Sequence, residues 1–582
     1  MERGNAPQVT SFRNTSTWWL TAIVVLGAAL RLFPIWFGLP YPHARPDEET
    51  AVGRAAAMLG GDLNPRFFHW PSLMFYALAA LYSAASLVRR ALSLDPALSQ
   101  VEQLLIARVF VALAGTLTIV VLYWLVCRVA DVTTALVAAA FLAVAILHVR
   151  DSHFAMTDVL MTLLVTSSLA LVVRAVDASF ESWHDRPALR WFAAAGLAGG
   201  LATSTKYSAA AIIAAMGIAQ LLWLVHVRKA PWLPRHWTAS VAFMLAFASG
   251  FLVATPYALL DFKTFSADLV FDFTHLKDGH GGVNLGRGWT YHLTHSLPYG
   301  TGVPMFLTAL AGMVLMLKHR RRHALLVSGF FLAFYGALGS GTTVFFRYIL
   351  PLVPVVCLMA AVAVRHAAPW LAARTALSPR ASLALLIVLA GGLSLVNSVW
   401  MDLLLARTDT RVLAAEWLEA RIRPGESLHD TGGDYTRLVL EKAEFYRWYF
   451  DPDTKSFGDP DGRVPDWLVI HTSPVRLYTR LAPELRRLAN EKYDLVHTVH
   501  ATKGGASRSV YDHQDAFFLP FSGFTTVERP GPTIRIYRRK GAQVPARATA
   551  GRAVRETSSL RDRATHLCSS VFFSGGNLDC VV

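Results

Sequence analysis

Long apolar stretches alternate with short basic segments over the first 402 residues of the chain. A helix needs roughly 20 apolar residues to cross a bilayer core of about 30 Å. Twelve stretches meet or approach this length, at residues 17–38, 71–92, 103–127, 132–148, 156–177, 190–204, 206–227, 238–258, 299–317, 324–340, 348–364 and 381–402. The pattern predicts an all-α polytopic membrane protein.

The segments between these stretches fall into two alternating sets with very different charge. Fourteen lysines and arginines lie in one set, at residues 128–131, 174–190, 226–237, 318–323 and 365–380. The other set carries six, although it includes the longest loop, 259–298. Cytoplasmic loops carry such an excess of basic residues. The first set is therefore predicted to be cytoplasmic and the second extracytoplasmic.

The stretch 71–92 decides how many spans the chain has. If every other stretch crosses and the N-terminus is cytoplasmic, residues 38 and 103 both lie outside, so 71–92 begins and ends outside. Serines and arginines interrupt its apolar run, as in an interfacial helix. This interpretation gives about eleven transmembrane helices plus interfacial helices. In the alternative, 71–92 crosses, the N-terminus is outside and Asp47 lies inside.

The character of the chain changes after Trp400, and we predict a transmembrane domain at residues 1–402. Residues from Val412 to Ile422 have helical periodicity, and the runs 467–470 and 533–537 resemble strands. We therefore predict a small α/β extracytoplasmic domain at residues 403–540. The tail 541–582 is rich in arginine and alanine without periodicity, which predicts disorder.

Composition narrows the class of protein further. The chain is 54% hydrophobic and 16% charged, whereas a soluble domain has roughly 25% charged residues. The net charge of +15 is spread over short clusters between apolar stretches, so it indicates membrane loops and not a nucleic-acid interface. The four cysteines form no Cys/His cluster with metal-ligand spacing.

Several ionisable residues fall on the predicted extracytoplasmic side. Three carboxylates follow the first span in the motif Arg45-Pro46-Asp47-Glu48-Glu49, and Asp158 begins a later span. Lys206 and Arg347 stand at the ends of further spans. Charges at such positions are costly unless they are paired or face a polar cavity. Carboxylates accept protons and cations hold phosphate, so this combination favours group transfer at the membrane surface over transport.

A divalent cation is the cofactor that this pattern suggests, although no residue set requires one. Hard cations bind carboxylate oxygens, which points to Asp47 and Glu48 as metal ligands. Histidines also gather on this side without a firm metal-ligand spacing, at positions 148, 153, 275, 280, 292 and 295.

Six ordered motifs link the chain to a known family. They are Pro46-Asp47-Glu48, Asn64–Ser72, His148–Asp158, Thr205-Lys206-Tyr207, Arg347–Pro351, and Asp409-Thr410-Arg411 followed by Glu416-Trp417-Leu418. With these motifs the chain resembles family 39 of the glycosyltransferase C superfamily, which includes protein O-mannosyltransferases and the bacterial transferases that add aminoarabinose to lipid A. The resemblance covers most of residues 17–425.

The resemblance implies a polyprenyl-phosphate-linked sugar donor and an acceptor hydroxyl on a glycan, lipid or protein. It implies that Asp47 is the catalytic base, that Glu48 assists it or binds a cation, and that Asp158 is the second catalytic acid. The implied substrate-binding residues, of which Lys206 and Arg347 face the donor phosphate, are Arg150, His153, Lys206, Arg347 and Tyr348.

One departure limits what the resemblance implies about the acceptor. Many lipid A-modifying relatives have Lys-Pro-Pro where this chain has His69-Trp70-Pro71. The chain therefore lacks a cation near the predicted site, which argues against the same acceptor.

Two other functions stay open at this point. A transporter or lipid flippase would need ionisable residues deep in the spans, and a scaffold would only present the domain 403–540. The sequence favours a multi-pass enzyme of the cell membrane with an extracytoplasmic active site.

Overall fold

Helices form most of the described residues up to 405 in the structure, a computed structural model that describes residues 7–41, 43–181, 186–226, 235–459, 462–504 and 508–541. The helices up to the end of this region are α1 (Pro7–Leu32), α2 (Glu48–Ala57), α3 (Leu73–Ala91), α4 (Gln100–Val129), α5 (Val132–Val144), α6 (Ile146–Asp151), α7 (Thr157–Glu181), α8 (Arg186–Thr203), α9 (Ile213–His226), α10 (Arg235–Ala254), α11 (Tyr257–Leu260), α12 (Phe262–Asp278), α13 (Gly288–Tyr291), α14 (Leu297–Thr301), α15 (Val303–His319), α16 (Arg321–Gly339), α17 (Val353–Ala372) and α18 (Pro379–Leu405).

Each of the twelve predicted apolar stretches contains helix. Within the described ranges, seven helices are long and apolar enough to cross a bilayer, or eight if the bent pair Gly288–Thr301 and Val303–His319 forms one span. Two shorter apolar helices, Ser16–Leu32 and Val132–Val144, complete this set. The helical membrane architecture agrees with the prediction, and the count of eleven spans stays a prediction.

The stretch 71–92 forms α3, which is amphipathic. Its buried side chains include Met74 and Phe75, whereas its exposed face combines Leu87 with the polar Ser83 and Arg90. α3 is not among the seven candidate spans. An amphipathic helix of this kind suits the membrane interface, where the sequence predicted it to lie.

The chain after α18, which we call the C-terminal domain, contains a five-stranded mixed sheet. Its elements are α19 (Thr410–Glu419), β1 (Glu426–Asp430), β2 (Phe445–Arg447), β3 (Trp467–Thr472), α20 (Pro483–Lys492), β4 (Tyr493–Val499) and β5 (Thr533–Arg539). The strand order is β2-β1-β3-β5-β4, with β1 parallel to β2 and β3, and β5 antiparallel to β3 and β4. The predicted helix and both predicted strands are present. The predicted disorder of the tail concerns residues that, from 542 onward, lie outside those described.

The carboxyl ends of the parallel strands β1 and β3 face the helical domain. The loop after β1 is held there because the Tyr41 hydroxyl donates to the carbonyl oxygen of Arg437 at 3.0 Å. The loop after β3 carries Tyr478, whose hydroxyl lies 2.9 Å from Nε2 of His280. In open α/β sheets this edge is where ligands bind.

A segment between β4 and β5 packs into the helical domain. We call residues 511–521 the insertion segment; all of them except His513 are buried. Phe517, Leu519 and Phe521 belong to the same apolar core as the helices, and the Phe521 ring stacks on Phe346 with 4.4 Å between centroids. The two domains therefore share one core.

A buried carboxylate organises the loop after β1, and this gives a pH-dependent prediction. Asp430 lies 2.6 Å from Nε2 of His471 and accepts the N–H groups of Gly432 and Leu438, each at 2.8 Å. Burial opposes its ionisation, but His471 and these N–H groups outweigh burial and lower the pKa of the Asp430 carboxyl. Its stabilising contribution is thus present above the ordinary aspartate pKa of about 4 and is lost as pH falls below it.

We therefore expect Asp430→Asn to destabilise the sheet at pH 7, and the difference from the parental protein to shrink near pH 3. Hydrogen exchange of the β1 and β3 amides in the full-length protein, corrected for the intrinsic rate at each pH, measures this. An equal difference in exchange rate between the variant and the parental protein at both pH values would contradict a stabilising role for the ionised Asp430 carboxylate.

Candidate active site

Asp47 lies at the start of α2, in the loop that follows α1. Its φ of 71° puts the residue in the left-handed region, which aspartate tolerates better than most residues. Its side chain is 30% exposed, and Nη2 of Arg347 donates to its Oδ2 at 3.1 Å. Asp47 is therefore an accessible carboxylate with a cation beside it.

Glu48, the next residue, is completely buried. Arg108 on α4 donates to both carboxylate oxygens, from Nε at 2.9 Å and from Nη2 at 2.6 Å. The Ala155 N–H donates to Oε1 as well, at 2.8 Å. Arg108 also donates to the carbonyl oxygens of Ile35 and Phe37 at 3.0 and 2.9 Å. Glu48 thus anchors α2 and the preceding loop on α4, beneath Asp47.

Glu49 differs from both of its neighbours. Its Oε1 accepts the N–H of Asp47 at 3.3 Å. Burial, with a contribution from the Asp47 charge, raises the pKa of the Glu49 carboxyl to about 7. Of the three consecutive carboxyl groups, Glu48 is fully engaged by Arg108 and Glu49 holds its proton up to near-neutral pH. Asp47 is the one suited to take a proton from a substrate.

A second carboxylate–cation pair lies at the start of α7. Nζ of Lys206 donates to Oδ1 of Asp158 at 2.7 Å; Asp158 is buried and the Lys206 side chain is 19% exposed. The same ammonium lies 4.6 Å from the ring centre of Tyr348, which follows Arg347 in the chain. The structure therefore brings Asp47, Asp158, Lys206, Arg347 and Tyr348 together.

Arg150 and His153 lie beneath this group and are not exposed to a substrate. Arg150 is buried and donates to Asp151 at 2.8 Å and to Asp515 at 3.0 Å. The ring nitrogens of His153 lie 3.0 and 2.9 Å from the carbonyl oxygens of Val149 and Phe33. Both side chains bind protein groups, so direct substrate contact by either would require rearrangement.

The residues here do not fit a cation held between Asp47 and Glu48. Both Glu48 oxygens bind Arg108, and Oδ2 of Asp47 binds Arg347. In the part of the chain that the structure describes, no group of three or more histidine, cysteine, aspartate or glutamate side chains is arranged to hold a metal.

The C-terminal domain contributes residues that sequence reasoning missed. Asp515 in the insertion segment accepts hydrogen bonds from Arg45 at 2.6 Å, from Arg150 at 3.0 Å and from Arg347 at 3.5 Å. Its signal in the sequence was weak: an acidic pair, Asp512 and Asp515, directly before the apolar run 516–521 in an otherwise polar region.

Tyr478 was missed as well, and His280 was predicted only as one of the histidines on this side, because the loops that carry the two residues are far apart in sequence. His280 lies beside Phe345, with 5.1 Å between ring centroids. Burial, together with the nearby charges of His275 and Arg347, lowers the pKa of His280 to about 4. His280 is thus a neutral ring near Arg347 at physiological pH.

Comparison with known protein families covers part of this candidate site. The family of dolichyl-phosphate-mannose-protein mannosyltransferases matches residues 94–254, a segment that contains Asp158 and Lys206 but not Asp47 or Arg347. The match confirms the resemblance to membrane glycosyltransferases that the motifs predicted. No curated protein sequence matches the chain.

The solved structures to which the chain is similar include proteins from three organisms. An Archaeoglobus fulgidus oligosaccharyltransferase tethered to an acceptor peptide is 15% identical over 69% of this chain and 57% of its own, with a TM-score of 0.47. ArnT from Cupriavidus metallidurans bound to undecaprenyl phosphate is 15% identical over 90% and 100%, with a TM-score of 0.44. The S. cerevisiae protein O-mannosyltransferase complex bound to its sugar donor is 20% identical over 45% and 34%, with a TM-score of 0.30. The chain thus spans little more than half of the archaeal enzyme's length.

The buried position of Glu48 makes a testable prediction about stability. Glu48→Gln leaves the Arg108 guanidinium buried without a counter-charge, which destabilises a protein by about 3–5 kcal/mol. We expect a clear loss of thermal stability, measured by unfolding of the purified protein in detergent.

The matched control is Glu491→Gln on α20, because Glu491 forms an exposed pair with Arg487 at 2.7 Å. Exposed pairs of this kind contribute little, so we expect no measurable change. Equal stability of the two variants would contradict an anchoring role for Glu48.

Proposed function

We propose that the protein is an integral membrane glycosyltransferase that moves a sugar from a polyprenyl-phosphate-linked donor to an acceptor hydroxyl. The reaction takes place on the extracytoplasmic side, where the distribution of basic loops predicts that Asp47 lies. One observation carries the proposal: an accessible carboxylate, Asp47, contacts the Arg347 guanidinium at 3.1 Å, and the neighbouring Tyr348 lies against a second cation, Lys206.

The chemistry of the transfer needs these groups. The acceptor oxygen forms a bond to the anomeric carbon while the bond from that carbon to the phosphate oxygen breaks. The acceptor proton moves to a carboxylate within hydrogen-bond reach, which is the role of Asp47. The products are the glycoside and the polyprenyl phosphate. One displacement of this kind inverts the anomeric centre.

The leaving phosphate gains negative charge as the bond to the sugar breaks. Fixed cations lower the barrier by stabilising that charge in the transition state. Lys206 and Arg347 supply two such cations, and Asp158 orients Lys206 through the 2.7 Å contact. Because the family match spans both Asp158 and Lys206, it supports a phosphate-linked donor for this half of the site.

Glu48 has a structural role, whereas the resemblance implied that it assists Asp47 or binds a cation. We propose that it positions Asp47 through its bonds to Arg108 and to the Ala155 N–H. Arg150 and His153 likewise support the site from beneath, by their contacts with Asp515 and with backbone carbonyls.

The first experiment follows the labelled sugar of a panel of polyprenyl-phosphate sugars in membranes that contain the parental protein or Asp47→Asn. Asparagine keeps the size of the side chain but cannot accept the proton. We expect transfer in the parental sample and a loss of at least about a hundredfold in the variant, in the range of general-base catalysis.

Equal insertion of the two proteins, checked by their amounts and by their protease-resistant fragments, is the control. Parental rates in Asp47→Asn would exclude Asp47 as the base. Lipid movement in proteoliposomes without any sugar transfer would instead favour a flippase.

A second experiment addresses the donor phosphate. Lys206→Met removes the charge and keeps an unbranched side chain. A hydrogen bond to a charged group contributes about 1.5–3 kcal/mol, so we expect KM for the donor to rise roughly ten- to a hundredfold.

The control for this change is Lys263→Met. Lys263 is exposed on α12, at the same predicted membrane surface but without a contact to the candidate site in the structure. Its substitution should leave KM for the donor unchanged. A rise of equal size in both variants would mean that the surface charge as a whole attracts the donor.

A further inference from the structure

The insertion segment bonds to the stretch of backbone that leads into Arg347. Oδ2 of Asp512 accepts the Phe346 N–H at 2.8 Å. Oε1 of Gln514 accepts the Val344 N–H at 2.6 Å, and its Nε2 donates to the Thr342 carbonyl oxygen at 3.2 Å. Two side chains thus form the hydrogen bonds to the backbone of residues 342–346 that a neighbouring strand would otherwise form.

Asp515 then joins three separate parts of the helical domain. Arg45 comes from the loop before α2, Arg150 from α6, and Arg347 from the short 3₁₀ helix Phe346–Leu352 that precedes α17. All three donate to one carboxylate, at 2.6, 3.0 and 3.5 Å. The Asp515 side chain is 2% exposed, so water does not weaken these contacts.

Aromatic rings seal this cluster. The Arg45 guanidinium lies 4.7 Å from the centre of the Phe154 ring, and that of Arg150 lies 4.8 Å from Phe517. Burial opposes ionisation of Asp515, but the charges of Arg45, Arg347 and Arg150 outweigh it and hold the pKa of Asp515 well below its ordinary value. Asp515 is therefore a permanent anion in a site closed to solvent.

Arg347 is the member of this cluster that also reaches Asp47. Its Nη1 is 3.5 Å from Asp515 and its Nη2 is 3.1 Å from Asp47. One guanidinium is thus shared between a buried carboxylate in the C-terminal domain and the accessible carboxylate in the helical domain. Arg45, two residues before Asp47, is held by the same Asp515.

We propose that Asp515 is a positioning residue of the active site, which sets the place of Arg347 relative to Asp47 and to the donor phosphate. The proposal rests on the glycosyl-transfer function proposed above. The C-terminal domain thereby contributes to the reaction, because one of its carboxylates fixes both Arg347 and the loop that carries Asp47.

The consequence of removing this anion follows from the shared guanidinium. Without Asp515, Asp47 is the remaining carboxylate that contacts Arg347 in the described structure, so the guanidinium shifts toward Asp47. It then leaves the phosphate position and engages the base. Donor binding and the rate of transfer both suffer, whereas the acceptor site is not directly altered.

Two substitutions at this position separate charge from geometry. Asp515→Asn removes the anion, and Asp515→Glu keeps it but moves the carboxylate by one methylene. The control is Asp466→Asn, which changes a carboxylate in the same domain that pairs with Arg539 at 2.7 Å, away from the site. KM for the donor is the informative quantity, because a smaller folded fraction lowers the apparent kcat but does not change KM.

We expect KM for the donor to rise at least about fivefold in Asp515→Glu and further in Asp515→Asn, with the parental value in Asp466→Asn. Parental KM in Asp515→Glu would overturn the proposal, because the carboxylate would then serve only to balance charge. The glutamate variant keeps the test valid if the asparagine variant does not fold.

Hydrogen exchange supplies a readout that does not depend on activity. Without donor, we expect faster exchange at residues 43–49 and 342–348 in both Asp515 variants, and the parental rate there in Asp466→Asn. If no donor is turned over by the parental protein but exchange rises as expected, the positioning role stands and the proposed function fails. If the parental protein transfers sugar and both Asp515 variants keep parental KM and exchange, the positioning role fails alone.

Discussion

Charged groups enter the interior of a membrane-embedded helical bundle only where other charged or polar groups bind them, because removing an isolated ion from water costs several kcal/mol. Around the candidate site this constraint is met by three contacts: Arg108 with Glu48, Lys206 with Asp158, and Arg45 with Asp515. The residues of these pairs are 60, 48 and 470 positions apart in the chain. Ion pairs between residues so far apart in the sequence fix the conformation of loops that helix packing alone does not determine. The candidate catalytic residues lie at those loops.

The same constraint distinguishes between three consecutive carboxyl groups that are equivalent by composition. A buried carboxylate with two guanidinium bonds and an N–H bond cannot also take a proton from a substrate, which excludes Glu48 as the base. Burial favours the protonated form of Glu49. Asp47 keeps 30% of its side-chain surface because the left-handed turn and the Glu48 anchor hold it at the edge of the site. Its accessibility thus depends on the burial of its neighbours.

The sequence could predict the helical part of the fold and half of the site, for identifiable physical reasons. Apolar length and the alternation of basic loops are local or additive signals, so they predicted the helices, and they also predict that Asp47, Asp158 and Lys206 lie on one side of the membrane. The partner of each charge is a matter of long-range geometry. Glu48 was therefore predicted to assist Asp47 or to bind a cation, although Arg108, within an apolar span, binds both of its carboxylate oxygens. Asp515 gave almost no signal, because its three arginine partners come from the other domain.

The predicted domain boundary between residues 402 and 403 rests on a change in composition. The candidate site does not respect this boundary, because residues from both sides of it form the site. Phe517 and Phe521 complete the core of the helical domain, and Asp512 and Gln514 supply the hydrogen bonds that the backbone before Arg347 would otherwise lack. A polar domain that only rested on the membrane surface would have no reason to bury an apolar segment with two acidic residues at its start. Burying those acids costs free energy, which is offset only where guanidinium and N–H groups bind their carboxylates. The helical domain supplies these groups, so the helical domain and the insertion segment must form one site together.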